Sequence, residues 1–188
     1  VKVVLSGEGA DEILGGYNFD QIVNNYNLIT NFRKFVPGKK WLGSNVFGKN
    51  SKLNAILNCS DSELMKHINS YMTGGHFNEI EKIKLFKFNA EYKSSIRFVD
   101  NYYQEASLLS PLKQLLFSYQ QNWLVENLLM KADKMTMASS VELRVPFLDN
   151  NLMNWAKNIP DSMKVGKMDG KIVTKRVLRE MMKGKAPN

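Results

Sequence analysis

Apolar positions change rhythm a few residues into the chain. Val1-Lys2-Val3-Val4-Leu5 is a β-branched apolar run that stops at Ser6-Gly7-Glu8-Gly9, the pattern of a buried strand leaving a sheet at its carboxyl end. A lone strand leaves its N–H and C=O groups without neighbours. No later run has comparable strand character, so partner strands are expected before Val1, in a domain that this chain enters partway. Asp11-Glu12-Ile13-Leu14-Gly15-Gly16-Tyr17 then reads as a short helical turn stopped by paired glycines. An irregular basic stretch is expected to follow, through Pro37 to Lys52.

Beyond that point the spacing is helical. Ser60-Asp61-Ser62-Glu63 is a capping-box pattern ahead of Leu64, Ile68 and Tyr71, ended by Gly74-Gly75, and another helix is expected from about Asn78 to Tyr92. Ser110-Pro111 sets a capping side chain before a proline at the first helical position. Leu112, Leu115, Leu116, Tyr119 and Trp123 then recur at helical spacing toward Leu128. Residues 131–149 read as a charged loop in which Glu142 and Arg144 are candidate partners, closing in a Pro-Phe-Leu-Asp turn. Asp149 can cap a helix that carries Leu152, Trp155, Ala156 and Ile159 and stops at Pro160, and a last helix spans Thr174 to Met182 before Gly184. The reading is one strand followed by a mostly helical subdomain.

Charge changes this picture little. Lys and Arg number 26 against 18 Asp and Glu, a net +8 in 188 residues, which raises nucleic acid or a phosphate-bearing ligand as a partner. The excess is diffuse, with short clusters only at Lys39-Lys40 and around Lys183 and Lys185, as on solvated helix faces. No nucleic-acid partner is expected. The single Cys59 cannot form an intrachain disulfide, which favours a reducing, cytoplasmic setting. His67 and His76 with that one cysteine do not assemble a zinc ligand set, and no apolar run reaches the roughly 20 residues needed to span a bilayer.

Chemistry concentrates at Ser6-Gly7-Glu8-Gly9-Ala10-Asp11-Glu12, where a strand ends and small residues allow close backbone approach, the place an open α/β sheet puts its ligands. The string is neither a dinucleotide fingerprint nor a P-loop. Its three carboxylates repel free phosphate, so a phosphate ligand here implies Mg²⁺ between acid and phosphate. The residues alone leave a second reading open, in which the acids cap the helical turn after Gly9.

Two strings together carry more. Residues 131–149, Lys-Ala-Asp-Lys-Met-Thr-Met-Ala-Ser-Ser-Val-Glu-Leu-Arg-Val-Pro-Phe-Leu-Asp, resemble the asparagine synthase family pattern K-x-D-x-x-[ST]-M-A-x-S-x-E-x-R-x-P-F-L-D. Ser6 to Tyr17 resembles that family's S-G-E-G-[AS]-D-E-hydrophobic-hydrophobic-G-G-Y. The resemblance continues through Lys175-Arg176-Val177-Leu178-Arg179-Glu180 and is weak from about Asn18 to Leu129.

The resemblance implies an α/β fragment, predominantly α-helical, forming the C-terminal part of an adenine nucleotide alpha-hydrolase-like (ATP pyrophosphatase) domain. It implies a ligase of asparagine biosynthesis that activates the aspartate side chain with ATP as β-aspartyl-AMP and admits ammonia from glutamine. Carried over by position, the Ser6 and Gly7 backbone contacts ATP, Glu8 is catalytic, Asp11 holds Mg²⁺-pyrophosphate, and Lys175 touches phosphate. Glutamate at position 8 favours amide formation; the related β-lactam synthetases carry tyrosine there. The family's S-G-G-x-D-S ATP loop, a second Mg²⁺ ligand and the glutaminase cysteine are expected before Val1, and a lysine in an R-x-K segment beyond Asn188. Residues 1–188 alone are therefore expected to be inactive, with homodimerisation of the parent or self-association of this piece left open. Three alternatives stand beside this: an amidotransferase of the family acting on a glycan or peptide carboxylate, a degenerate structural domain, and a non-catalytic basic binding module.

Overall fold

The structure, a computed structural model, describes residues 2–37, 45, 57–60, 64–66, 82, 85 and 95–185. The chain divides into two compact units, Val1–Asn24 with Glu105–Asn188, and Asn25–Gln104.

The first unit begins with β1 (Val3–Leu5), and its partner lies inside the chain. Strand β2 (Glu142–Arg144) pairs with β1 in parallel, Val3 opposite Glu142 and Leu5 opposite Arg144. Glu142 N donating to Lys2 O at 2.8 Å and Ser6 N donating to Arg144 O at 2.9 Å extend the ladder. This corrects the expectation that every partner precedes Val1. Val141-Glu142-Leu143-Arg144-Val145 alternates apolar and polar residues, and side chains two apart share a strand face. Arg144 Nη2 accordingly meets Glu142 Oε1 at 2.6 Å. Nor is β1 a buried strand among the described residues: Val3 is 48% exposed and Leu5 76%.

After α1 (Ala10–Leu14) and α2 (Asn18–Asn24), the unit resumes at Glu105 and continues into α5 (Pro111–Ser118), with helices α3 (Tyr26–Phe35) and α4 (Asp100–Glu105) between. Ser110 Oγ accepts from Lys113 N at 3.3 Å, as the Ser-Pro pattern implies, and Leu112, Leu115 and Leu116 are buried. The helix then widens into a π-helical segment, Tyr119–Leu129, and returns to α geometry in α6 (Met130–Met137). Residues 131–137 are thus helical where a charged loop was expected. No residue of α6 is buried; it is a polar extension of a helix nucleated upstream, and elongating a formed helix costs far less than starting one. It ends at Met137 in a turn that closes at Ser140, whose φ is 52°.

A 3₁₀ turn at Pro146–Leu148 leads to α7 (Asn150–Asn158), capped by Asp149, whose Oδ1 accepts from Asn151 N at 2.9 Å and Leu152 N at 3.2 Å. Then follow α8 (Asp161–Lys164), the antiparallel hairpin of β3 (Gly166–Met168) and β4 (Lys171–Val173), and α9 (Arg176–Met182). The hairpin was missed, although its turn is Asp169-Gly170, with φ of 51° and 79°; two adjacent positive values suit the right-handed strand twist. Ile13 and Leu14 of α1, Ala156 of α7 and Val177 of α9 form one buried cluster, with Phe147, Leu148 and Leu152 packed on it. Burying each such Leu or Ile is worth about 1.5–3 kcal/mol, so the short α1 is held by its core face.

In the second unit, α3 (Tyr26–Phe35) is helical, as α2 is in the first, where an irregular stretch was expected. A 3₁₀ segment, Ser95–Val99, runs into α4 (Asp100–Glu105). Arg33 donates to the Cys59 carbonyl, Tyr103 OH donates to Met65 O at 3.2 Å, and Lys66 pairs with Asp100 at 2.5 Å. Leu64 N bonds Ser60 O at 3.0 Å at the expected start of the capped helix. Most of that helix, the one expected over Asn78–Tyr92, His67 and His76 lie outside the described residues.

Among the described residues β1 has one strand neighbour, and Leu5 faces outward; an open apolar edge recruits further strands. The chain is expected to self-associate with rising concentration. Leu5→Lys is expected to suppress this, as read by dynamic light scattering over a dilution series; a wild-type radius independent of concentration contradicts it.

Candidate active site

The site starts where β1 ends. Ser6 Oγ accepts from Glu8 N at 3.2 Å, and the Gly7 carbonyl accepts from Ala10 N at 3.3 Å, which folds the turn back on itself. Gly9 sits at φ 90°, and a Cβ there would lie 2.3 Å from Leu148 Cδ2. Only glycine meets both conditions. The turn therefore rests directly on the Pro-Phe-Leu-Asp segment, joining the two strings the sequence singled out. At Gly7 a Cβ meets nothing within 4 Å, leaving that backbone open to a ligand.

The three carboxylates of the turn separate. Glu12 is 1% exposed, and Tyr17 OH donates to its Oε1. Trp123 Nε1 in turn donates to the Tyr17 hydroxyl oxygen at 3.1 Å, and Gln120 Nε2 donates to the Glu12 carbonyl at 2.9 Å, both from the π-helical segment. Burial raises the Glu12 carboxyl above its ordinary range, with the Tyr17 hydrogen bond opposing; burial and the same acid raise the Tyr17 hydroxyl. Glu12 thus belongs to a buried network rather than to a cluster of ligand-facing acids. Glu8 is half-buried, and its carboxylate makes no hydrogen bond or ion pair among the described residues.

Asp11 meets Lys175 across the fold, Oδ1 to Nζ at 2.9 Å. Lys175 precedes α9 with φ 49°, and its N–H donates to the Gly15 carbonyl at 2.8 Å, which ties the two segments at backbone level. A Cβ at Gly16 would lie 1.4 Å from Asp11 Oδ1, so the second glycine of the pair makes room for this carboxylate. Both side chains are partly exposed, and the pair contributes at most about 1 kcal/mol to stability. Lys175 is therefore set beside Asp11 rather than on an open helix surface.

Two buried ionisable groups went unnoticed in the sequence. Asp20 is fully buried; Oδ2 accepts from Tyr17 N at 2.8 Å, while Oδ1 has no partner, and burial pushes its carboxyl up to about 7. Lys164 is 3% exposed and donates from Nζ to the Ile13 carbonyl at 2.7 Å; burial, then the charge of Lys113, pushes it down to about 8. Aspartate three residues after Tyr17 is a recognisable turn pattern, whereas nothing local marks Lys164. Among the described residues no three His, Cys, Asp or Glu gather closely enough to hold a metal ion by themselves, and no helix is long and apolar enough to cross a membrane.

A strand, a glycine-rich turn and a short helix thus present, at the carboxyl end of β1, one carboxylate unpartnered among the described residues and one paired with a lysine. The chain belongs to the asparagine synthase family, whose profile matches residues 1–188. It is 34% identical over 194 residues to asparagine synthetase [glutamine-hydrolyzing] 1 of Bacillus subtilis, covering 100% of this chain and 29% of that protein. It is 28% identical over 191 residues to a putative asparagine synthetase [glutamine-hydrolyzing] of Mycobacterium tuberculosis H37Rv, covering 97% and 28%. The chain thus spans under a third of the length of these relatives. No solved structure matches it.

Gly9→Ala is expected to lower stability by about 1–3 kcal/mol, from the strained φ and the Leu148 contact, whereas Gly7→Ala leaves the urea midpoint unchanged. Equal midpoints for the two variants contradict this account of the turn. A raised Asp20 carboxyl means that the folded state keeps a proton which the unfolded chain releases above about pH 4. This contribution to stability is therefore lost as pH rises toward 7. Asp20→Asn keeps an acceptor for Tyr17 and is expected to be stabilised relative to wild type at pH 8 but not at pH 4, by urea melts at both values.

Proposed function

We propose that this chain is part of an enzyme that forms an amide on the side chain of aspartate at the expense of ATP, giving asparagine through β-aspartyl-AMP, with ammonia drawn from glutamine. The observation that carries the reading is the Asp11–Lys175 pair at 2.9 Å beside the open Ser6-Gly7-Glu8 backbone. It joins two segments that the family resemblance independently assigns to phosphate handling. The B. subtilis and M. tuberculosis relatives bear the name of that activity.

The chemistry suits these groups. An aspartate carboxylate oxygen attacks the α-phosphorus of ATP and pyrophosphate leaves; ammonia then attacks the acyl carbon and AMP leaves. The Ser6 and Gly7 backbone would lie along the nucleotide. Glu8, without a hydrogen-bond or ion-pair partner among the described residues, would take the proton that ammonia loses. Lys175 would offset charge on the departing pyrophosphate. A magnesium ion held by one carboxylate together with substrate phosphates needs no three-ligand protein cage, and Asp11 fits that part, the metal supplying further neutralisation of the leaving group.

In the full-length parent, Glu8→Gln is expected to lower amide synthesis by ~10² to 10⁴ with ATP binding retained. Asp11→Asn is expected to raise the magnesium requirement and to recover partly at high Mg²⁺. Steady-state synthesis and ATP/pyrophosphate exchange across a magnesium titration separate the two. Near-normal turnover by Glu8→Gln, or equal rescue of both variants by magnesium, would leave the acids as helix caps.

A further inference from the structure

Behind α1, away from the Glu8 turn, the first unit holds a cleft of about 210 Å³ among α5, the start of the π-helical segment, α7 and α8. Its polar lining is Lys113, Lys157, Lys164, Gln120, Gln121 and Asn154, and no carboxylate lines it. One lysine comes from each of three helices, α5, α7 and α8. Among the described residues none of the three makes a salt bridge.

Lys113 repels the buried ammonium of Lys164, Lys157 lines the same cleft, and a buried cation is costly unless paired. Lys164, 3% exposed, has one acceptor, the Ile13 carbonyl at 2.7 Å, which leaves two of its three N–H groups for a ligand. Asp161 on the same helix attracts it, but more weakly than Lys113 repels it. Pockets for drug-sized ligands run roughly 300–1,000 Å³; this one admits a small ion or the end of a metabolite rather than a nucleotide.

We propose that this cleft binds a small oxyanion, a phosphate or carboxylate group held by the three lysine ammoniums with the carboxamides of Gln120, Gln121 and Asn154 around it. Charge-assisted hydrogen bonds to such a group satisfy the free N–H donors and offset the repulsion between Lys113 and Lys164. The site does not depend on the reaction at Glu8. Because Lys164 also holds the end of α1 through Ile13, an anion here would brace the helix that carries Asp11.

The test titrates the chain with inorganic phosphate and, separately, with succinate, each against sodium chloride of equal ionic strength, reading the thermal midpoint and the binding isotherm. A saturable rise beyond the chloride control is expected for at least one anion, and the tighter of the two names its source as phosphoryl or carboxyl. Lys113→Gln with Lys157→Gln, at half-buried and exposed positions, is expected to weaken binding at least tenfold with the chloride midpoint preserved. Lys157→Glu alone serves if the double variant melts early. Lys175→Gln is expected to leave binding unchanged. No saturable effect, an unchanged affinity in the cleft variants, or loss confined to Lys175→Gln overturns the proposal.

Discussion

The parallel pairing of Val3–Leu5 with Glu142–Arg144 is the contact on which the site rests. It brings a strand end and a segment roughly 140 residues away into one register, and each later contact uses that placement. Ser6 leaves the ladder bonded to Arg144, so the glycine turn starts from a fixed direction. Leu148, a few residues beyond β2, then fits against Gly9. From the base of this turn α1 runs into the core shared with α7 and α9, and the start of α9 returns Lys175 to Asp11.

Burial sorts the charged groups that this scaffold gathers. Glu12 is turned inward and held by Tyr17, itself held by Trp123, while Asp11 and Glu8 stay accessible to solvent. Neighbours in sequence on a short helix thus meet very different surroundings, because positions 11 and 12 point about 100° apart around a helix axis. The π-helical segment serves this division by aiming Gln120 at α1 and Trp123 at Tyr17; such widened turns concentrate at functional sites.

Legibility in the sequence followed the range of the interaction. Ser110 and Asp149 cap their helices as read, since a cap needs only the next three residues. Glu8 and Asp11 stand out as candidates because a strand end followed by glycines is a local pattern. Strand β2 was not, since three residues reading Glu-Leu-Arg show little apolar character and become a strand only when β1 supplies hydrogen bonds. Helix α6 was read as a loop because it buries nothing and owes its form to the helix before it. The Asp169-Gly170 turn was legible but overlooked. The partnership of Asp11 with Lys175, and that of Lys164 with Ile13, join residues more than 150 positions apart. No local rule reports such pairs.

The first unit is built from two stretches of chain with the second unit inserted between them, and this has a consequence for biosynthesis. A ribosome adds roughly 5–20 residues per second, so β1 emerges on the order of 10 seconds before the strand that pairs with it. During that interval the edge of β1 that β2 will occupy is without that partner. Closing so long a loop is slow compared with forming local helices, which makes the nascent chain, rather than the finished one, the state in which β1 most needs a protector.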